Sequence, residues 1–214
     1  MSYGDVALGV ECAFPCTLDT SREKRPRKKA TLLLLALLAL AGAFQFGQGI
    51  YIHAKAQLAQ VLLERAWQRT LAGETAVKPW PWADTWPVAR LIAPAQRANL
   101  LVLAGANGRS IAFGPGHMDG TPPPGTAGNS VIGGHRDTHL AFLRHVKRGE
   151  TISVESADGT RTEYRVTELD ILDKRETWVT KNEGPSRLTL ITCWPFDALR
   201  AGGPQRYVVI ASKV

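Results

Sequence analysis

Ala30–Ile52 is a run of 23 residues without a charge, and no other feature limits the possible architectures of this chain as much. A helix crosses a hydrocarbon core with about 20 apolar residues, so this run is long enough to span one. Directly before it lies Arg22-Glu23-Lys24-Arg25-Pro26-Arg27-Lys28-Lys29, which holds six of the chain's 26 basic residues and a single acid. The positive-inside bias keeps such a block in the cytoplasm. Residues 1–29 are therefore predicted as a cytoplasmic segment and residues 30–52 as a single-pass transmembrane anchor. Everything after His53 is predicted to be exported. A buried core helix fits badly with so dense a basic flank. A cleaved signal sequence is the competing reading, because Ala39-Leu40-Ala41 has the small residues of a cleavage site. Either reading delivers the rest of the chain across the membrane.

The exported part changes character along its length. Ala54–Leu71 is rich in helix formers and has Leu58, Val61, Leu62 and Leu71 near helical spacing, which predicts a juxtamembrane helix. Lys78-Pro79-Trp80-Pro81-Trp82-Ala83-Asp84-Thr85-Trp86-Pro87 cannot be regular helix. Its tryptophans are read as plugging the edge of a core, with an aromatic collar at the membrane interface as the alternative. Residues 53–87 thus form a helix and linker, and residues 88–214 a separate domain. In that domain the helical period gives way to short β-prone runs at Val88–Ala93, Leu100–Leu103, Ser130–Gly133, Thr151–Glu155, Thr162–Leu172, Arg187–Thr192 and Arg206–Ala211. Turn clusters such as Gly114-Pro115-Gly116 and Asp158-Gly159 separate them. About seven or eight such strands predict a mainly β domain, a closed barrel or a sandwich. Asp137–Val146 is the one helix expected within it.

The net charge of +7 forms no stripe outside the basic block, and basic-plus-aromatic nucleic-acid motifs are absent, which argues against a nucleic-acid partner. Three cysteines do not make a disulfide framework. Cys12 and Cys16 have no further Cys or His nearby and are read as incidental. Cys193 is different. It ends the apolar run Arg187–Thr192, and Trp194-Pro195 follows it, so the thiol sits where a strand gives way to a loop. Ser130-Val131-Ile132-Gly133-Gly134-His135 likewise ends a strand in a histidine, with glycines that permit close backbone approach. Arg206 opens the next run, thirteen residues after the cysteine, enough for a loop and a return on an adjacent strand. Thiol, imidazole and guanidinium are thus expected at one rim. A thiolate is an intrinsically good nucleophile. An imidazole titrates near working pH and can protonate a leaving amine. A guanidinium keeps its charge and can hold a developing oxyanion. That set suits acyl transfer.

His135-Arg136-Asp137-Thr138-His139, Leu188-Thr189-Leu190-Ile191-Thr192-Cys193 and Arg206 together resemble a sortase. The Gram-negative group, class GN, is the closer likeness. Its features recur in Lys78–Asp84, Phe113-Gly114-Pro115-Gly116-His117, Gly128–Ile132 and Thr192–Asp197, with Trp194 where tyrosine is more usual. The likeness covers about residues 54–213. It implies a sortase β-barrel and a transpeptidase in the inner membrane, with its catalytic domain in the periplasm. Cys193 would attack a backbone carbonyl in the carboxy-terminal sorting signal of an exported protein, Arg206 would stabilise the oxyanion, and His135 would protonate the departing amine. The thioacyl enzyme would pass its acyl group to an amine acceptor. No cofactor and no metal follow from that chemistry.

Other residues carry weaker expectations. Asp137 is a candidate to orient His135. Thr192 either meets substrate or fills a strand position. His117, in its Gly-Pro-Gly-His turn, is read as structural, with the cleft wall as the alternative. His135 and His139 have a spacing that can bind zinc, but Arg-Asp-Thr between them lacks the glutamate base of a zinc protease. Arg206 is preferred to Arg136 as the catalytic arginine. The Ser-x-Gly-Cys signature of L,D-type transpeptidases is absent. A non-catalytic envelope scaffold and a hydrolytic cysteine peptidase remain as competing functions.

Overall fold

The computed structural model describes residues 25–200 and 202–214. Cys12, Cys16 and the first part of the basic block lie outside them. The chain divides into two units, Met1–Tyr51 and Ile52–Val214. The helix α1 (Arg25–Leu71) has residues in both. In the first unit its leucines and phenylalanines are exposed, and its most apolar stretch buries nothing against protein. That helix is long and apolar enough to cross a membrane.

In the second unit α1 docks on a barrel through a face that keeps only Leu71 of the expected set, packed beside Leu63 and Trp67. Leu58 and Val61 point to solvent, whereas Ala59, Leu63, Ala66, Trp67 and Thr70 are buried. These residues recur every three or four positions, so they share one stripe. The expected set missed most of that stripe because small alanines and a polar threonine form much of it. Leu63 and Trp67 pack with Leu101 and Leu103. Beside them Arg90 fastens helix to barrel: its Nη2 donates to both Glu64 carboxylate oxygens at 2.6 and 2.8 Å. Its guanidinium also lies 5.9 Å from the Trp67 ring centre. Trp80 meets Phe113 edge-on at 5.1 Å, as expected of a plug, while Trp82 stands exposed.

The barrel has eight strands: β1 (Pro87–Ala93), β2 (Ala98–Ala104), β3 (Gly116–His117), β4 (Asn129–Gly133), β5 (Thr151–Ser156), β6 (Arg161–Asp173), β7 (Arg187–Trp194) and β8 (Gln205–Lys213). They close in the order β1-β2-β3-β4-β7-β8-β6-β5. The pairs β2–β3 and β4–β7 are parallel and the others antiparallel. Alternation in β1 and the first half of β6 sends every second side chain inward. Leu91, Val102, Ile132, Val154, Tyr164, Leu188, Leu190 and Val209 meet there as the core. The two-residue β3 completes the ring between β2 and β4.

The sequence expectation for Asp137–Val146 needs correction. The segment forms only a short 3-10 helix, Ala141–His145, after turns at residues 136–140. Leu140 and Leu143 are driven into the barrel core, and two anchors three residues apart suit a tight 3-10 turn better than a long α-helix.

Candidate active site

The rim of β4, β7 and β8 collects the expected residues. Cys193 and Arg206 are direct register partners across the antiparallel pair β7–β8. Directly opposed residues point to the same face, with Cβ atoms about 4.5–5.5 Å apart. On the other side of β7, Gly133 pairs with Ile191, and the Gly134 N–H donates to the Ile191 carbonyl at 3.2 Å. The parallel strands therefore reach the rim together, and His135 leaves β4 beside the strand that carries the thiol. Cys193 is half-buried, His135 exposed and Arg206 half-buried. The Arg206 Nη1 donates to the carbonyls of Gly203 and Gln205 at 2.8 and 2.9 Å, which fixes the side chain at the start of β8. Trp194, Phe196 and Tyr207 form an aromatic cluster at the same end, with ring centres 5.2–5.7 Å apart.

The second glycine of Gly-Gly-His does what close approach requires. A Cβ on Gly134 would lie 3.0 Å from Leu140 Cγ and 3.5 Å from Pro115 Cα, whereas one on Gly133 would make only ordinary contacts. Thr192 is buried, and its hydroxyl donates to the Gly134 carbonyl at 2.8 Å. That hydroxyl ties the thiol strand to the histidine segment. Asp137 is exposed, and no hydrogen bond joins it to His135 among the described residues. His117 Nε2 lies 3.0 Å from the Pro122 carbonyl and 3.2 Å from Thr121 Oγ1, so its ring pins the loop after β3.

Sequence reasoning undervalued two neighbours. Arg136, set aside as the lesser arginine, is buried and bonds the carbonyls of Ala198 and Arg200 in the β7–β8 loop. Its only sequence signal was adjacency to His135. His139 is half-buried and lies within electrostatic reach of His135. Burial pushes its pKa down and a charge on His135 adds to this, against a backbone hydrogen bond to Ala112. A depressed folded-state value means that the unfolded chain binds this proton more readily. The stabilisation is complete above the unfolded value of about 6.5 and is lost as pH falls below it toward the folded value. His139→Gln should therefore narrow the difference in melting temperature between pH 7.5 and pH 5.5. An unchanged difference would remove His139 from the acid response.

A cavity of about 310 Å3 lies elsewhere, lined by Gln60, Glu64, Arg90, Asn99, Phe113 and His139 among others, and none of Cys193, His135 and Arg206 lines it. The rim of β4, β7 and β8 is the better candidate, because the thiol, the imidazole and the guanidinium are there.

The model of the sortase domain matches residues 91–214, more than half of the chain. The chain belongs to the sortase family. It is similar to Sortase D of Bacillus subtilis (strain 168), with 28% identity over 122 residues covering 56% of this chain and 61% of that protein. It is also similar to Sortase A of Listeria monocytogenes, with 34% identity over 110 residues covering 50% of this chain and 49% of that one. The chain thus spans about half to three fifths of the length of these relatives. Among solved structures, sortase C-1 from Actinomyces oris superposes with a TM-score of 0.55 at 28% identity, covering 60% of this chain and 74% of its own. The sortase match contains β4, β7 and β8, and so includes Cys193, His135 and Arg206.

Proposed function

We propose that this chain is a membrane-anchored cysteine transpeptidase that cuts a carboxy-terminal sorting signal of an exported protein and transfers the acyl part to an amine. The register pairing of Cys193 with Arg206 carries the reading, because it sets a nucleophile beside a fixed positive charge. In the first half-reaction the Cys193 thiolate adds to a backbone carbonyl carbon. The Arg206 guanidinium donates hydrogen bonds to the resulting oxyanion. The carbon–nitrogen bond then breaks, and His135 gives its proton to the leaving amine. In the second half an incoming amine adds to the thioester, loses a proton to the imidazole and expels the thiolate. Water in place of the amine gives hydrolysis. The thioester conserves the bond energy of the peptide that was cut, so the exchange calls for no cofactor or metal.

Lys78–Asp84, Phe113–His117 and Thr192–Asp197 support the Gram-negative group, class GN. In this reading residues 1–29 are cytoplasmic, residues 30–52 cross the inner membrane among its lipids and residues 53–87 lead to the catalytic barrel, residues 88–214, in the periplasm. The exposed apolar helix and the basic residues preceding it support that arrangement. Thr192 and His117 support the site from within: their side chains bond Gly134 and the loop after β3. Asp137 remains a candidate to orient His135 once substrate is bound.

Protein isolated from its own membranes, quenched in acid and digested should yield a Cys193 peptide bearing a thioester-linked acyl fragment. Mass spectrometry would read the fragment's sequence, and neutral hydroxylamine should remove it. Only unmodified Cys193, with candidate substrates and their cut products present, would overturn the covalent route.

A further inference from the structure

The residue after His135 has no role in the cycle above, yet its placement is unusual. Arg136 is 6% exposed. Its Nη2 donates to the carbonyl of Ala198 at 2.8 Å and to that of Arg200 at 2.7 Å. Both carbonyls belong to the loop between β7 and β8, which runs from Cys193 to Arg206. From the same histidine segment, Arg144 lies over the Phe196 ring at 5.0 Å and reaches the Phe196 carbonyl at 3.5 Å. On the other side of the thiol, Thr192 holds the Gly134 carbonyl. The dipeptide His135-Arg136 therefore presents an imidazole outward and a guanidinium inward, and the guanidinium grips the loop that joins the other two members of the site.

Stability alone gives a poor account of this arginine. Among the described residues no carboxylate pairs with it, and its Nη1 is buried without a hydrogen-bond partner. A buried charge with an unused donor is costly, and an apolar side chain of similar volume often replaces such a group without loss. What an apolar side chain cannot do is fix two carbonyls of a loop at a set distance from the backbone of His135.

We propose that Arg136 is a positioning residue that locks the β7–β8 loop to the His135 segment and so holds thiol, imidazole and guanidinium in one reactive arrangement. The inference rests on the acyl-transfer reading above. Small displacements of reacting groups reduce rates steeply, so loosening the grip should slow acylation more than it lowers the melting temperature.

The test uses the full chain in detergent and 4-nitrophenyl acetate, a small activated ester that needs no sorting signal. Acylation of the thiol releases nitrophenolate, read by absorbance, and mass spectrometry locates the acetyl group. Arg136→Met keeps the volume and removes the donors; Arg136→Lys keeps a charged donor. Arg136→Met should acylate about tenfold more slowly than the parent, with faster amide exchange confined to residues 195–204. Arg136→Lys should recover part of both. Parental acylation in Arg136→Met, or Arg136→Lys no closer to the parent than Arg136→Met, would overturn the proposal. Should Arg136→Met fail to fold, Arg136→Lys decides: parental acylation with a lowered melting temperature would make the arginine purely structural. If the parent acylates no faster than Cys193→Ala, the acyl-transfer reading fails instead.

Discussion

Cys193→Ala should reduce peptide cleavage and transfer by a thousandfold or more, to the level of a reaction without protein. The expectation follows from covalent catalysis: without the sulfur there is no thioester, and no neighbouring side chain can take its place. The barrel should be almost untouched, because Cys193 is half-buried at the end of β7 rather than in the core. Cleavage of a peptide carrying the sorting sequence found on the thioester, followed by chromatography with and without an added amine, measures both half-reactions. Undiminished transfer by the alanine variant, with an unchanged melting curve, would end the assignment. Cleavage by the parent that no amine diverts would instead favour a hydrolytic peptidase.

Arg206→Ala should lower kcat by about 10²–10³-fold with little change in KM, as expected when one donor to a developing oxyanion is removed. Arg206→Lys should restore only a small part. An ammonium can carry the charge, but it lacks the planar fork that can bond Gly203 and Gln205 through one nitrogen and still offer other donors to substrate. Steady-state kinetics on the same peptide separate the two parameters. A variant that loses affinity while keeping kcat would make Arg206 a substrate anchor and leave the oxyanion to other donors.

The seven strands expected from short β-prone runs and turn clusters are all present, because turn residues punctuate each run. The eighth, β3, is two residues long, too short for any periodicity to register. It exists because β2 and β4 flank it, and a Cβ on Gly116 would collide with the backbone of Gly105 and Ala106. The docking stripe of α1 was misread because its anchors, Leu63 and Trp67, alternate with alanines that no hydropathy pattern singles out. Cys193, His135 and Arg206 were legible together because each stands at the end of a strand, where spacing along the chain translates into distance along a sheet. Arg136 was not, since its carbonyl partners lie more than 60 residues away on a loop without regular structure. His139 escaped for the same reason: what depresses its affinity for a proton is burial, which a single sequence does not display.

The register of β7 against β8 has one more consequence. A strand slipped by a single residue would turn Arg206 to the opposite face from Cys193, since side chains alternate along a strand. The same slip would turn Val209 and Ala211, which lie in the barrel core, to the outer face. In the proposed cycle, catalytic competence and correct assembly therefore depend on the same alignment of two strands. Each turnover of that cycle would report that the last strand of the barrel has closed in place, and misassembled copies would be silent by construction.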